Sequence, residues 1–213
     1  MGSSAGGGAP FRPRAIVIGG SAGAMDALTI LLAPLPPETP WPIVVATHLH
    51  KSDDGLFAEN LSVAIALTVR EAEDKLAVAP GIVYVAPANY HLLIEWDGSL
   101  ALSIDARERW ARPSLDVLFE SAARTWASDL VAVILSGASS DGAEGMKVVA
   151  GRGGVCLAQS PETATSELMP QAAIAAARIT RVMTPQEIGA WLVDLAVGCT
   201  PEMNEVAGEQ EAH

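Results

Sequence analysis

Short, wholly apolar runs recur along this chain, each separated from the next by a stretch with helical periodicity or by a turn. Ala15–Ile18, Ile43–Ala46, Ala64–Val69, Ile82–Val85, Val131–Leu135, Val155–Ala158 and Ile179–Val182 read as strands. Ala24–Ala33, Gly55–Leu61, Ser114–Ser128, Ala143–Ala150, Glu167–Ala177 and Pro185–Val197 read as helices, and Leu115, Leu118, Phe119, Ala122 and Trp126 form a buried stripe. A strand without polar alternation is covered on both faces, and its alternation with helices is the pattern of a parallel sheet between helical layers. Leu92–Trp96 and Leu100–Ile104, joined through Trp96-Asp97-Gly98-Ser99, read as a hairpin. The expected fold is α/β: a mostly parallel sheet with helices on both faces, Rossmann-like, carrying one small antiparallel hairpin.

The 213 residues suit one domain, with neither internal repeat nor linker. Residues 14–197 read as that domain, 1–13 as a flexible leader and 198–213 as a disordered acidic tail bearing Glu202, Glu205, Glu209 and Glu211. The leader lacks the hydrophobic stretch of a signal peptide, and no apolar run is long enough to span a bilayer. Cys156 and Cys199 have no metal-ligand spacing, so the expected setting is the reduced cytoplasm. A formal net charge of −12 argues against a nucleic-acid partner, because phosphate binding needs a basic face.

In such a sheet, ligands sit beyond the carboxyl ends of the strands. The first strand exits into Gly19-Gly20-Ser21-Ala22-Gly23, the G-x-S-x-G pattern of a nucleophile elbow. The second exits into Thr47-His48-Leu49-His50, and Val131–Leu135 exits into Ser136-Gly137-Ala138-Ser139-Ser140-Asp141-Gly142. Serine, histidine and aspartate at one rim are the parts that acyl transfer by a serine requires. Each also has a plainer reading. Ser21 suits a helix cap or a phosphate loop, His48 a structural role, and Asp141 a cap on the helix that begins at Ala143. A dinucleotide loop fits less well, because strand two ends in Thr47-His48 and lacks the ribose-binding acid. A metal hydrolase would use His48 and His50, with Asp53, Asp54 and His91 completing the shell, although Lys51 beside them disfavours a cation.

Taken in order, several segments resemble the catalytic domain of the bacterial chemotaxis protein-glutamate methylesterases (CheB type). They are Ile16–Gly23, Val44–Leu49, Glu71–Asp74, Val83–Pro87, Arg112–Phe119, Val133–Gly137 with Asp141–Ala143, and Ala158-Gln159 followed by Met169-Pro170. The resemblance covers residues 14–196. It implies that Ser21 is the nucleophile, His48 the base and Asp141 the third member of a triad. It places Ala22, Arg112 and Met169 at the oxyanion or substrate. Arg112 would either meet the acidic helix that carries the substrate or brace its own loop. The implied substrates are methylated glutamates, and also glutamines, on the helices of methyl-accepting chemotaxis receptors. No cofactor, metal or membrane insertion is implied; a non-catalytic chemosensory scaffold is the remaining alternative.

The chain departs from the family pattern at Ala22 (usually threonine), Thr47 (glutamine) and Leu49 (methionine). It departs again at Ala138-Ser139-Ser140, where Met-Gly-Asn is usual. The receiver domain that precedes the family's catalytic domain has no counterpart before strand one, so control by aspartyl phosphorylation in cis is not expected.

Overall fold

A computed structural model describes residues 11–198. The first ten residues of the expected leader and the tail from Cys199 onward lie outside the described residues. The elements are β1 (Ala15–Gly20), α1 (Ala24–Leu32), β2 (Ile43–Thr47), α2 (Leu56–Ala64), β3 (Thr68–Glu71), β4 (Ile82–Val85), β5 (His91–Ile94) and β6 (Leu100–Ser103). They continue with α3 (Leu115–Trp126), β7 (Leu130–Ile134), α4 (Ala143–Gly151), β8 (Val155–Gln159), α5 (Leu168–Ala176), β9 (Arg181–Met183) and α6 (Pro185–Ala196). Seven strands form one sheet in the order β3-β4-β2-β1-β7-β8-β9, every pair parallel, while β5 and β6 pair antiparallel beside it.

Every residue of β1, β2, β7 and β8 is buried. Side chains alternate across the pleat. Ile16 and Ile18 therefore join Leu28, Leu31, Val45, Val133, Trp191 and Leu192 in one core layer under α1 and α6. Ala15 and Val17 join Tyr84, Phe119, Ile134 and Met146 in the other, under α3 and α4. Each fully buried large apolar side chain contributes roughly 1.5–3 kcal/mol. The central strands are thus anchored far more firmly than the loops they run into. The hairpin hangs on α3, where the Ile94 amide donates to Ser121 Oγ at 3.1 Å and Thr125 Oγ1 donates to the Glu95 carbonyl at 3.0 Å.

Two strand expectations shift. Ala64 closes α2, and the strand expected over Ala64–Val69 begins only at Thr68. Ile65 and Leu67 are buried from the connecting segment, so their apolar character reflects packing and not strand pairing. Pairing with β8 starts at Arg181 and not Ile179, because Thr180 is taken up with Cys156, accepting from its amide and donating its own.

Strand order positions the rim. From β1 the chain moves outward through β2, then returns to add β7 on the opposite side of β1. The exits of β1 and β7 therefore flank the point where strand order reverses, the place at which open α/β sheets bind ligands.

Candidate active site

β1 and β2 pair with Gly20 opposite Thr47, so the residues that follow, Ser21 and His48, leave the sheet side by side. Neighbouring parallel strands lie about 4.8 Å apart. The turn at Ser21 is fastened from β7: the Ser21 amide donates to the Ser136 carbonyl at 2.8 Å. Ser136 Oγ donates to the Ala22 carbonyl at 2.6 Å and accepts from the Ser166 amide at 2.9 Å. The Ser136 amide in turn donates to Gln159 Oε1 at 2.9 Å. Gly23, at φ 79°, has a left-handed backbone, and a Cβ there would collide with Thr165. The Ser21 side chain is half-exposed, and its hydroxyl makes no hydrogen bond among the described residues. Neither do the Ala22 and Gly23 amides, which precede α1.

Asp141 lies across from this turn, 1% exposed. Its Oδ2 accepts from His48 Nε2 at 2.8 Å and from the Leu115 amide at 2.8 Å. Its Oδ1 accepts from Ser114 Oγ at 2.9 Å and the Asp116 amide at 3.2 Å. Asp141 is therefore a helix cap, but of α3 and not of α4, whose first turn follows Gly142 at φ 95°. Ser114, in the N-cap position of α3, gives its hydroxyl to the aspartate and not to its own helix. Burial pushes the Asp141 carboxyl up, but the hydrogen bonds from His48 and from the Leu115 and Asp116 amides outweigh it and hold the pKa below the ordinary value. An ionised carboxylate accepts only, so the proton of the 2.8 Å contact sits on His48 Nε2 and the lone pair of the neutral ring on Nδ1.

Asp116 behaves oppositely. Burial raises its pKa, with the charge of Asp141 adding to the rise, while the Gly145 amide and Arg109 oppose it. Its Oδ1 accepts from the Gly145 amide at 2.8 Å, and Arg109 Nε stands 3.3 Å from Oδ2.

The remaining expectations divide. Met169 is buried against Gly137: its amide donates to the Gly137 carbonyl at 2.9 Å. A Cβ on Gly137 would overlap the Met169 Sδ and Cε atoms and crowd Ser21 Cβ, which places Met169 as a wall beside the serine. Arg112 is tied to its own loop and to Asn89, on the wall of an open cleft. Nη1 donates to the Ile104 and Asp105 carbonyls at 2.7 and 2.9 Å, and Nη2 to Asn89 Oδ1 at 2.9 Å.

The metal shell does not assemble; among the described residues no three His, Cys, Asp or Glu groups are placed to hold an ion. His48 is taken by Asp141, and His50 Nδ1 sits 2.6 Å from Ser52 Oγ. His91 is buried, Nδ1 accepting from the Ser114 amide at 3.2 Å and Nε2 donating to the Ala106 carbonyl at 3.0 Å. It is a brace behind Asp141, not a ligand. Cys156 is also buried, its thiol pushed up to about 12 by desolvation, and takes no part in the site.

Residues 16–192 match the family model described as CheB methylesterase. The chain belongs to the CheB methylesterase family. A Leptospira interrogans relative is 42% identical over 85% of this chain and 94% of its own length; it carries the name protein-glutamate methylesterase/protein-glutamine glutaminase provisionally. A Pseudomonas syringae protein named protein-glutamate methylesterase/protein-glutamine glutaminase 2 is 38% identical over 77% of this chain and 49% of its own length. The crystal structure of the Thermotoga maritima CheB methylesterase catalytic domain superimposes with a TM-score of 0.81 at 33% identity, covering 86% of this chain and 98% of that one. Membership places the chain in a family of ester hydrolases, and the CheB catalytic fold is the seven-stranded parallel sheet with its antiparallel pair.

Proposed function

We propose that this chain hydrolyses glutamate methyl esters on methyl-accepting chemotaxis receptors, and deamidates glutamines there, through Ser21, His48 and Asp141. The observation that carries the reading is the 2.8 Å contact between His48 Nε2 and buried Asp141, formed at the strand exit beside the half-exposed Ser21. Family membership supports the ester as substrate, and the double name of the relatives supports the amide.

In this reading His48 Nδ1 takes the proton of Ser21 as Oγ bonds to the ester carbonyl carbon. Asp141 fixes the tautomer and stabilises the imidazolium that results. The unpaired Ala22 amide donates to the oxyanion, an interaction typically worth ~3 kcal/mol. The imidazolium returns its proton to the leaving methoxide, and methanol departs. Water, deprotonated by His48, then cleaves the acyl-enzyme to leave the glutamate carboxylate and free Ser21. With glutamine the same steps release ammonia. Met169 walls the acyl side. Residues 14–197 are the catalytic unit, acting in the cytoplasm; among the described residues no helix is long and apolar enough to cross a membrane.

Methanol release from methyl-labelled receptor membranes tests this. Ser21→Ala should reduce it to background with the fold retained; full activity in that variant would remove Ser21 from the mechanism.

A further inference from the structure

The loop after His48 and the loop before α3 face one another across a cleft of about 210 Å³, lined by Leu49, His50, Lys51, Arg107 and Arg112. Three formal cations gather there in a chain of net charge −12. None of the three has a carboxylate partner among the described residues. The two guanidiniums are tied to a single neutral atom. Asn89 Oδ1 accepts from Arg107 Nη2 at 3.2 Å and from Arg112 Nη2 at 2.9 Å. Their other acceptors are backbone carbonyls of Ile104, Asp105 and Trp110. Lys51 is exposed and makes no hydrogen bond or ion pair among the described residues. Among the described residues, Asp105 and Glu108, which flank Arg107, form no ion pair with it or with Arg112, and the carboxylates that follow Lys51 are directed elsewhere. Asp53 and Asp54 lie near Glu71, whose pKa is raised by burial and then by their two charges.

Holding like charges together on neutral acceptors is costly, and an entering anion relieves the repulsion. The cleft adjoins the reacting groups, because Leu49, which lines it, directly follows His48. We propose that this cleft is a carboxylate-binding subsite for an acidic side chain on the same polypeptide segment as the ester, and that it sets which esters are cleaved fastest. The proposal rests on the esterase reading above. Its chemistry is that of the reaction itself, since each turnover leaves a carboxylate. On a helix, side chains three or four positions apart lie about 5–6 Å from one another. A carboxylate one turn from the ester would enter the cleft while the ester lies at Ser21.

The test uses two synthetic helical peptides, each with one glutamate methyl ester and either Glu or Gln four residues away. The wild-type chain should favour the Glu peptide by about tenfold in kcat/KM at low salt. That ratio should fall in 0.5 M NaCl, a concentration at which charges more than about 4–5 Å apart are screened. Lys51→Ala and Arg107→Ala should each move it toward unity. Lys51→Ala is the cleaner variant, because that side chain holds nothing else in place. Equal kcat/KM for the two peptides in the wild type, or an unchanged ratio in both variants, overturns the subsite. If neither peptide releases methanol, the esterase reading fails on its own. Fluorescence-anisotropy binding of the two acid-form peptides then decides the cleft: tighter binding of the Glu form, lost in Lys51→Ala, upholds it, and equal binding overturns it.

Discussion

Replacing Asp141 by asparagine changes few atoms and disturbs four hydrogen bonds. The carboxylate accepts from His48 Nε2, the Leu115 amide, Ser114 Oγ and the Asp116 amide. An amide side chain offers one acceptor oxygen and one donor nitrogen. If the nitrogen takes the Oδ2 place, it faces the Leu115 N–H and forces His48 to accept, which moves the ring proton to Nδ1, the nitrogen needed as base. If it takes the Oδ1 place, Ser114 can reverse its hydroxyl but the Asp116 N–H is left without an acceptor. Either way one buried amide is orphaned, at about 1–3 kcal/mol of stability. In both the negative charge that steadies the imidazolium is gone, a loss of roughly 10⁴ in kcat by analogy with serine proteases. The pH dependence has a definite sign. The folded pKa of Asp141 is depressed, so its contribution is present above the unfolded value, ~3.9, and is lost as pH falls through the folded value. Urea unfolding of wild type and Asp141→Asn from pH 7 to pH 3 should therefore converge toward the acid end, while methanol release at pH 7 separates them. An Asp141→Asn protein with wild-type kcat and a pH-independent stability gap would refute this account of the carboxylate.

Two further outcomes follow from neighbouring groups. Ser136→Ala removes the hydroxyl that joins the Ala22 carbonyl to the Ser166 amide. It should cost about 1–2 kcal/mol in denaturant unfolding and lower kcat more than it raises KM, because it loosens the turn that carries Ser21. Asp116→Asn tests the opposite linkage. The folded pKa of Asp116 is raised, so its contribution is present below the unfolded value and lost as pH rises through the folded one. Unfolding curves should show the variant improving relative to wild type between pH 3 and pH 7, and a gap that widens instead would contradict the stated effect of burial.

The rim was legible because it depends on local pattern. Apolar runs ending in Gly19-Gly20, Thr47 and Leu135 mark β1, β2 and β7, and the parallel register then brings Ser21 beside His48 without further information. What supports those residues was not legible, because each support spans a long stretch of chain. Ser136 reaches Ala22 across 114 positions, and Ser114 reaches Asp141 across 27. No local spacing marks either serine. Asp141 beside Gly142 suggests a cap on the helix that follows, and only the packing of α3 against α4 turns it toward Leu115 and Asp116. An imidazole at His91 suits a metal shell by residue type alone, yet burial between two backbone groups uses both its nitrogens. Ile65 and Leu67 suggested a strand for a similar reason: burial alone selects apolar side chains, whether or not the backbone is paired.

The claim that Ser21 is the attacking atom is tested most directly by a fluorophosphonate, which phosphonylates an activated serine, followed by tandem mass spectrometry of the digested protein. A single adduct is expected, on Ser21, formed far more slowly in His48→Ala and Asp141→Asn. An adduct on Ser139 or Ser140 instead, or none while methanol release continues, would contradict it.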